Sequence, residues 1–208
     1  MKKSILLLLL LATSLAFCQE SKNDSTNNED KSKLISLGTK LGVPNILSFN
    51  GEIILPFLGN HFAPFVDYGS FNIEIEDTET SLNYLEYGLN LYFGSKGKGF
   101  YASAGMGQLS SNITFNDLTF EENGISQKGS ATTGLDIDTL NLKLGAKTGG
   151  FVFLRIELGY GIGTIPDKLN FTATSNGITE SFSEEIPSFA GISSNGLLIG
   201  NIGLGISF

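Results

Sequence analysis

The chain is short of several residue types and patterns on which folds and active sites are commonly built. Its 208 residues include one cysteine, so no internal disulfide can hold the fold together. The only histidine, His61, falls in a short turn, and we predict no catalytic, cofactor-binding or metal-binding residues. Beyond the first segment there is no stretch of ~18 apolar residues, so no transmembrane helix is predicted. Acidic residues outnumber basic ones by 21 to 13, which argues against nucleic acid as a partner.

The first residues have the pattern of an export signal. Lys2 and Lys3 precede an apolar run from Ile5 to Phe17 that is too short to span a bilayer and leads into polar sequence. We therefore predict a cleaved signal peptide over residues 1–18 and a polar flexible segment over 19–33. The alternative is a lipoprotein anchored through Cys18, although the bulky Phe17 differs from the small residue that lipid-modifying processing prefers. Loss of the signal leaves 11 basic and 21 acidic residues, a net charge of −10.

From residue 34 onward, apolar and polar residues alternate with a period of two. This alternation is typical of β-strands with one apolar face, and no stretch has the period of a helix. It is clearest where Leu85, Leu89 and Leu91 are separated by polar residues and glycine. The pattern predicts eight strands, at about 34–43, 47–57, 62–71, 85–93, 100–108, 139–147, 154–163 and 201–208.

Three features favour a membrane barrel over a soluble sandwich, which needs the same alternation. Short turns at 58–61, 94–99 and 148–150 alternate with long connections at 72–83, 109–138 and 164–195, with the short link at 44–46 as an exception. Glycine recurs on the polar face, where the lumen of a small barrel needs small residues. Aromatic residues lie beside the short turns, as in a girdle at a membrane boundary: Phe57, Phe62, Phe93, Phe100, Phe151 and Phe153. We predict an all-β fold, an eight-stranded antiparallel up-and-down transmembrane β-barrel over residues 34–208.

The last strand carries a pattern with a known counterpart. Ile202, Leu204, Ile206 and the terminal Phe208 resemble the C-terminal signature by which the barrel-assembly machinery recognises outer-membrane proteins. With the predicted signal peptide and eight strands, the chain resembles the small outer-membrane β-barrel proteins that share the architecture of the OmpA transmembrane domain and OmpX, in the glycine-rich form common in Bacteroidota. The resemblance implies the outer membrane of a Gram-negative bacterium, with its lipid and the assembly machinery as partners. It brings no catalytic residue.

Charged residues on the predicted inner face form the candidate functional site. We expect them to pair across the lumen, because an unpaired buried charge is costly. Carboxylate catalysis by Asp67, Glu86 and Glu157 is one alternative, and a gated ion path is another. The predicted lumen charge network comprises Lys40, Glu52, Asp67, Glu86, Lys143, Lys147, Arg155 and Glu157.

The long connections are rich in acidic residues, for example between Glu74 and Glu79. Such clusters could hold Ca²⁺ or Mg²⁺, but none has the spacing of a known loop site, and a solvated surface explains them. Asn123-Gly124 and Asn176-Gly177 lie between alternating stretches and predict hairpins with type I′ turns. Exposed strand edges of such hairpins can recruit an extended segment of a partner, whose identity the pattern does not give.

These observations favour a non-enzymatic barrel with a filled lumen. Its role would be to contribute to envelope integrity or to present acidic extracellular loops to a partner. The alternatives are a narrow channel for ions or small solutes, and a soluble periplasmic barrel that binds an apolar ligand inside. For the membrane barrel, we predict that one set of residues points outward in an apolar band ~25 Å tall: Leu85, Leu89, Leu142, Leu158 and Ile202.

Overall fold

Strands make up most of the chain that the structure describes. The computed structural model describes residues 33–208, except 95, 123–124, 176–177 and 187–190. Within these residues no helix is long and apolar enough to cross a membrane. The predicted signal peptide and all but the last residue of the predicted polar segment lie outside the described residues.

Within the described residues, eleven strands and one short 3-10 turn follow one another along the chain. The 3-10 turn, Pro56–Leu58, lies between the second and third strands. The strands are β1 Ile35–Val43, β2 Ile46–Ile53, β3 Phe62–Ile75, β4 Thr78–Tyr92, β5 Gly99–Glu122, β6 Ile125–Lys147, β7 Val152–Ile162, β8 Lys168–Ser175, β9 Ile178–Glu185, β10 Ile192–Ser193 and β11 Gly196–Ser207.

Eight of these strands close into a barrel. β1 to β6 each pair with the next strand in sequence, and β11 pairs with both β7 and β1. All these pairings are antiparallel, and the closing register sets Ser36 opposite Ser207. The predicted all-β fold and the closed, eight-stranded, up-and-down barrel are therefore confirmed. β8 and β9 form an additional hairpin on β6, and β10 adds a short pairing to β11.

The two faces of the barrel wall carry opposite kinds of residue. Outward side chains are large, apolar and exposed, with Leu158 64% and Ile202 65% accessible. Leu89 and Leu142 also point outward, and Leu85 on the same face is half-buried. Inward side chains alternate with these along each strand and are mostly polar, charged or glycine. The wall therefore has an apolar exterior and a polar interior.

One end of the barrel, here called the turn end, carries the short connections 54–61, 93–98 and 148–151. The prediction that the second strand reaches residue 57 is wrong, because β2 ends at Ile53. Pro56 cannot donate to a strand ladder and starts the 3-10 turn, while Ile54 turns into the barrel and is buried. The chain thus closes over this end of the lumen instead of extending the wall.

The aromatic residues predicted around the turn end divide into two groups. Phe57, Phe93, Phe100 and Phe151 are exposed there, and Phe62 is half-buried at an outward position of β3. Phe153 is not exposed, and its placement in an outer girdle was wrong: it is almost fully buried. It lies on β7 two residues before Arg155, so strand alternation points both side chains into the lumen.

At the opposite end, here called the hairpin end, strands extend where long loops were predicted. The predicted connection 72–83 contains only a two-residue turn at 76–77, and most of 109–138 belongs to β5 and β6. The predicted type I′ turn positions, 123–124 and 176–177, lie outside the described residues. The strands on either side of both positions pair as hairpins.

The wall exchanges its apolar and polar faces at one level, a cross-strand row here called the boundary row. It consists of Tyr68, Leu85, Gln108 and Asp138, which are paired in register across β3, β4, β5 and β6. On the hairpin side of this row, outward positions are polar, as at Asn72, Ser81, Asn112 and Asp136. Inward positions there are largely apolar: Phe71, Ile73, Leu82, Leu109, Ile113, Phe115, Leu135 and Ile137. The segments on the hairpin side were predicted as loops because their apolar residues lie on the inner face, whereas on the turn side of the boundary row the apolar residues lie on the outer face.

Candidate functional site in the barrel lumen

The structure places all eight residues of the predicted charge network in the lumen. Each is almost fully buried, and each lies within 4 Å of an oppositely charged side chain. They come from β1, β2, β3, β4, β6 and β7. They fall into two groups, here called the turn-end cluster (Glu52, Lys147 and Arg155) and the mid-barrel cluster (Lys40, Asp67, Glu86, Lys143 and Glu157).

The turn-end cluster is centred on Glu52 of β2. Arg155 Nη2 lies 2.9 Å from Glu52 Oε2, and Lys147 Nζ lies 2.7 Å from Oε1. Asn90 Nδ2 donates to Oε2 at 2.6 Å, and the Tyr92 hydroxyl donates to both carboxylate oxygens at 3.0 and 2.9 Å. One carboxylate therefore ties β2 to β4, β6 and β7 across the lumen.

The mid-barrel cluster is built around two lysines that share Glu157. Lys40 Nζ lies 2.7 Å from Asp67 Oδ2 and 2.9 Å from Glu157 Oε2. Lys143 Nζ lies 2.8 Å from Glu86 Oε1 and 3.5 Å from Glu157 Oε2. These contacts link β1 and β3 on one side of the barrel to β4, β6 and β7.

Hydrogen bonds join the two clusters into one network. Asn50 donates to the Asp67 carboxylate and accepts from Arg155 Nη1 at 2.8 Å. The Tyr101 hydroxyl donates to Glu157 Oε1 at 2.6 Å. Because the network holds four basic and four acidic side chains, its formal charges balance.

Two buried phenylalanine rings lie beside the cations. Phe65 lies under both lysines of the mid-barrel cluster, with Lys40 Nζ 5.5 Å and Lys143 Nζ 4.9 Å from its ring centroid. Phe153 has Lys147 Nζ at 4.7 Å and the Arg155 guanidinium carbon at 5.4 Å. These distances are in the range of cation–π attraction, so each ring stabilises two like charges that share a carboxylate.

Glycine on the inner face leaves room for these rings. A Cβ atom on Gly205 would lie 2.6 Å from Phe153 Cζ, and one on Gly38 would lie 3.1 Å from the same atom. Real Cβ atoms do not approach a ring atom as closely as the first of these distances. The glycines therefore set the space into which Phe153 fits, as expected for a narrow barrel whose lumen is filled by its own side chains.

Apolar side chains cover the charges toward both ends of the barrel. Toward the turn end, Ile54 and Ala63 pack with the rings of Tyr92 and Tyr101. Gly97 of the 93–98 turn lies so close to Ile54 that a Cβ atom there would overlap its side chain. Toward the hairpin end, a second apolar layer is formed by Ile137, Ile165, Leu197 and Ile199, with Leu109 and Leu135 packed against it.

Several of these lumen residues were not predicted from the sequence. Phe65, Phe153 and Ile199 each lie two residues from an inward polar residue, so strand alternation alone could have placed them inside. Phe153 was missed because it was assigned to the outer girdle, and Ile199 because the last strand was predicted to begin only at residue 201. Ile165 lies between β7 and β8, where no alternation applies.

Residues that could take part in other chemistry lie elsewhere. His61 lies in the turn-end connection, and its Nδ1 is 2.8 Å from the carbonyl oxygen of Tyr92. Among the described residues, no group of three or more His, Cys, Asp or Glu side chains is arranged to hold a metal ion. Comparisons with protein-family models, curated proteins and solved structures found no match for this chain.

Proposed function

We propose that this chain is an outer-membrane β-barrel with a filled lumen and no enzymatic activity, which presents its hairpins outside the cell to a partner. The observation that carries the proposal is the boundary row, where four adjacent strands change from an apolar to a polar outer surface at one level. A lipid–water interface favours such a change, because lipid-facing positions must be apolar and water-facing positions need not be.

The height of the apolar outer surface supports this setting. On β7, outward residues are apolar or aromatic from Val152 to Ile162, and all are exposed. Ten residue steps of ~3.4 Å, tilted by ~40°, correspond to roughly 26 Å along the barrel axis. The apolar band of outer-membrane barrels is ~25 Å tall.

The lumen supports a structural role for the charges. Each carboxylate is paired with a cation, and apolar layers cover the network toward both ends. A catalytic acid or base has to reach a substrate, whereas these groups are occupied by one another. A soluble barrel with an apolar ligand inside is not proposed, because the lumen carries charges where such a ligand would need an apolar surface.

Export and assembly are part of the proposal. The predicted signal peptide would direct the chain out of the cytoplasm of a Gram-negative bacterium. On the last strand, Ile202, Leu204, Ile206 and Phe208 all present exposed side chains on the outer face, where the assembly machinery and lipid could contact them. The turn end would then lie in the periplasm and the hairpin end outside the cell.

The proposal is tested by topology in intact cells. Trypsin added outside should cut at Lys128 and Lys168, which are exposed at the hairpin end, and spare Lys96 and Lys98 at the turn end until the outer membrane is permeabilised. The Lys128→Gln/Lys168→Gln variant should resist external trypsin, with its folded barrel checked by a heat-modifiable gel shift. Recovery of the protein in the soluble fraction, or equal cutting at both ends in intact cells, would contradict the proposal.

A narrow ion channel is the second candidate, and the buried charges favour it. An ion could pass along the lumen, past Lys40, Glu157 and Glu52, only if the apolar layers at the turn end and at the hairpin end both opened. Planar-bilayer recording of the purified protein distinguishes the two functions. A closed lumen gives silence across a wide voltage range, whereas a channel gives steps that change when Glu157 is replaced by glutamine.

A further inference from the structure

An aromatic stack lies on the inner face of the sheet at the hairpin end. The rings of Phe115 on β5 and Phe171 on β8 have centroids 6.4 Å apart. Those of Phe171 and Phe182 on β9 are 5.2 Å apart and nearly parallel, with an interplanar angle of 7°. Phe182 is 44% exposed, so the stack ends in a ring that is open to solvent.

Two exposed carboxylates flank this last ring. Glu180 and Glu184 lie two residues before and two residues after Phe182 on β9, so strand alternation puts all three side chains on one face. Their partners on β8 are Ala173 and Leu169, which carry no charge. Four residue steps along a strand separate the two carboxylates by roughly 13 Å.

We propose that this surface, here called the β9 aromatic face (Phe115, Phe171, Glu180, Phe182 and Glu184), binds an extended cationic peptide segment of a partner protein. The inference rests on the proposed function, which puts the hairpins outside the cell, and it names the chemistry of their partner. The segment carries an apolar residue that packs on Phe182 and a basic residue two positions to either side. An extended chain has the same rise per residue as β9, so its two cations reach both carboxylates.

The negative charge of Glu180 and Glu184 favours a cationic peptide over the other ligands that could bind an apolar surface. The carboxylates repel anionic lipid and nucleic acid, and they attract basic groups over a distance of about one Debye length. The surrounding hairpins strengthen this selection, because Glu74, Glu79 and Asp136 are also exposed there, while the exposed Lys128 is paired with Asp117. A bound divalent cation is not the proposed ligand, since the described residues contain no group of side chains arranged to hold one.

The experiment uses the full chain in nanodiscs of zwitterionic phosphatidylcholine. The probe is the fluorescein-labelled nonapeptide Lys-Ser-Leu-Ser-Lys-Ser-Leu-Ser-Lys, whose extended form puts each leucine between two lysines on one face, and binding is followed by fluorescence anisotropy. Empty discs and a matching peptide with glutamate in place of each lysine are measured in parallel. We expect the lysine peptide to bind discs that contain the barrel more tightly than empty discs, and the glutamate peptide not to do so.

Adjacent residues of β9 provide the matched variants. Glu184 lies on the aromatic face, whereas Glu185 lies on the opposite face, paired with Lys168. Glu184→Gln should weaken binding by up to about fivefold, the upper end of the range for one exposed ion pair, and Glu185→Gln should leave it unchanged. Phe182→Ala should weaken binding about tenfold, as for an aromatic anchor at an interface.

The outcomes separate this inference from the proposed function. Equal losses in Glu184→Gln and Glu185→Gln would overturn the inference, as would equal binding to loaded and empty discs. If the barrel enters the discs and shows its gel shift but the peptide does not bind, only the inference fails. If the barrel cannot be incorporated into discs, the proposed membrane function fails first.

Discussion

Replacing Glu52 with glutamine should be among the most destabilising single changes in the lumen. Among the described residues, Glu52 is the carboxylate within ion-pair distance of both Lys147 and Arg155, at 2.7 and 2.9 Å. Glutamine keeps the size of the side chain and its contact with Asn90, but it leaves both cations buried without an opposite charge. The loss is therefore electrostatic, and little of it comes from packing.

The expected magnitude follows from two opposing effects. At an effective dielectric constant of about 20, each ion pair has a gross attraction of roughly 6 kcal/mol. The cost of removing the charges from water offsets much of this attraction in the wild type. In the variant the two cations stay buried, so their share of that cost remains while the attraction is lost. Removing one partner of a buried pair typically costs about 3–5 kcal/mol, and we expect Glu52→Gln to lower the free energy of unfolding by this amount.

The assay is equilibrium unfolding in urea of barrels refolded in lipid vesicles, followed by the heat-modifiable gel shift and by circular dichroism. Asp117→Asn is the matched control, because it breaks the ion pair with Lys128, in which the two side chains are 72% and 55% exposed. Exposed pairs contribute about 0–1 kcal/mol, so the control should unfold almost like the wild type.

A double variant makes the reasoning refutable. In Glu52→Gln/Lys147→Met, one of the two cations left unpaired is also removed, so part of the lost stability should return. A Glu52→Gln loss no larger than that of Asp117→Asn would refute the electrostatic argument. So would a double variant less stable than the single one, because the cost would then lie in packing.

Three further changes test packing and membrane position. Gly205→Ala should destabilise by about 1–3 kcal/mol, since its Cβ would overlap the Leu37 carbonyl oxygen and lie 2.6 Å from Phe153 Cζ. Gly51→Ala, whose Cβ would meet nothing closer than 3.7 Å, should be nearly neutral in the same urea titration. Phe65→Ala should cost about 3–5 kcal/mol, and Phe65→Leu clearly less, by urea midpoint; equal costs would show that the filled volume is unimportant. Leu142→Lys should cost about 2–4 kcal/mol in lipid vesicles and much less in detergent micelles, and the absence of such a difference would argue against a lipid-facing position.

Strand alternation predicted the barrel because, over most of the wall, apolar side chains point outward and polar side chains point inward. The outward Leu142 and Leu158 and the inward Lys143 and Glu157 follow directly from a period of two. The partners of the charged residues could not be predicted in this way. Contacts such as Lys40 with Glu157 cross the lumen between strands far apart in sequence, and they depend on how the barrel closes.

The predictions were wrong at positions where filling or covering the lumen, and not the outer surface, decides where an apolar residue lies. Phe153 is apolar and lies inside, because the lumen needs rings beside its cations as well as charges. The end of β2 was misplaced, because Ile53 is followed by a segment that must cover the lumen. Hairpins were predicted only around 123–124 and 176–177. The strand extensions between residues 72 and 83 were taken as a loop, because their apolar residues, such as Leu82, fall on the face that is polar lower in the barrel.

The continuous register through the boundary row limits how the hairpins can change in length. No β-bulge separates Tyr84 from Leu85 or breaks their pairing with β3 and β5. One residue inserted there would turn every side chain beyond it to the other face and expose the aromatic residues of the sheet. Two inserted residues would raise the hairpin by one pleat and leave both faces intact. Natural variation at this end of the barrel should therefore come in even steps, or bring a bulge like the one between Phe115 and Leu118 of β5, with hairpins of different heights on an unchanged wall.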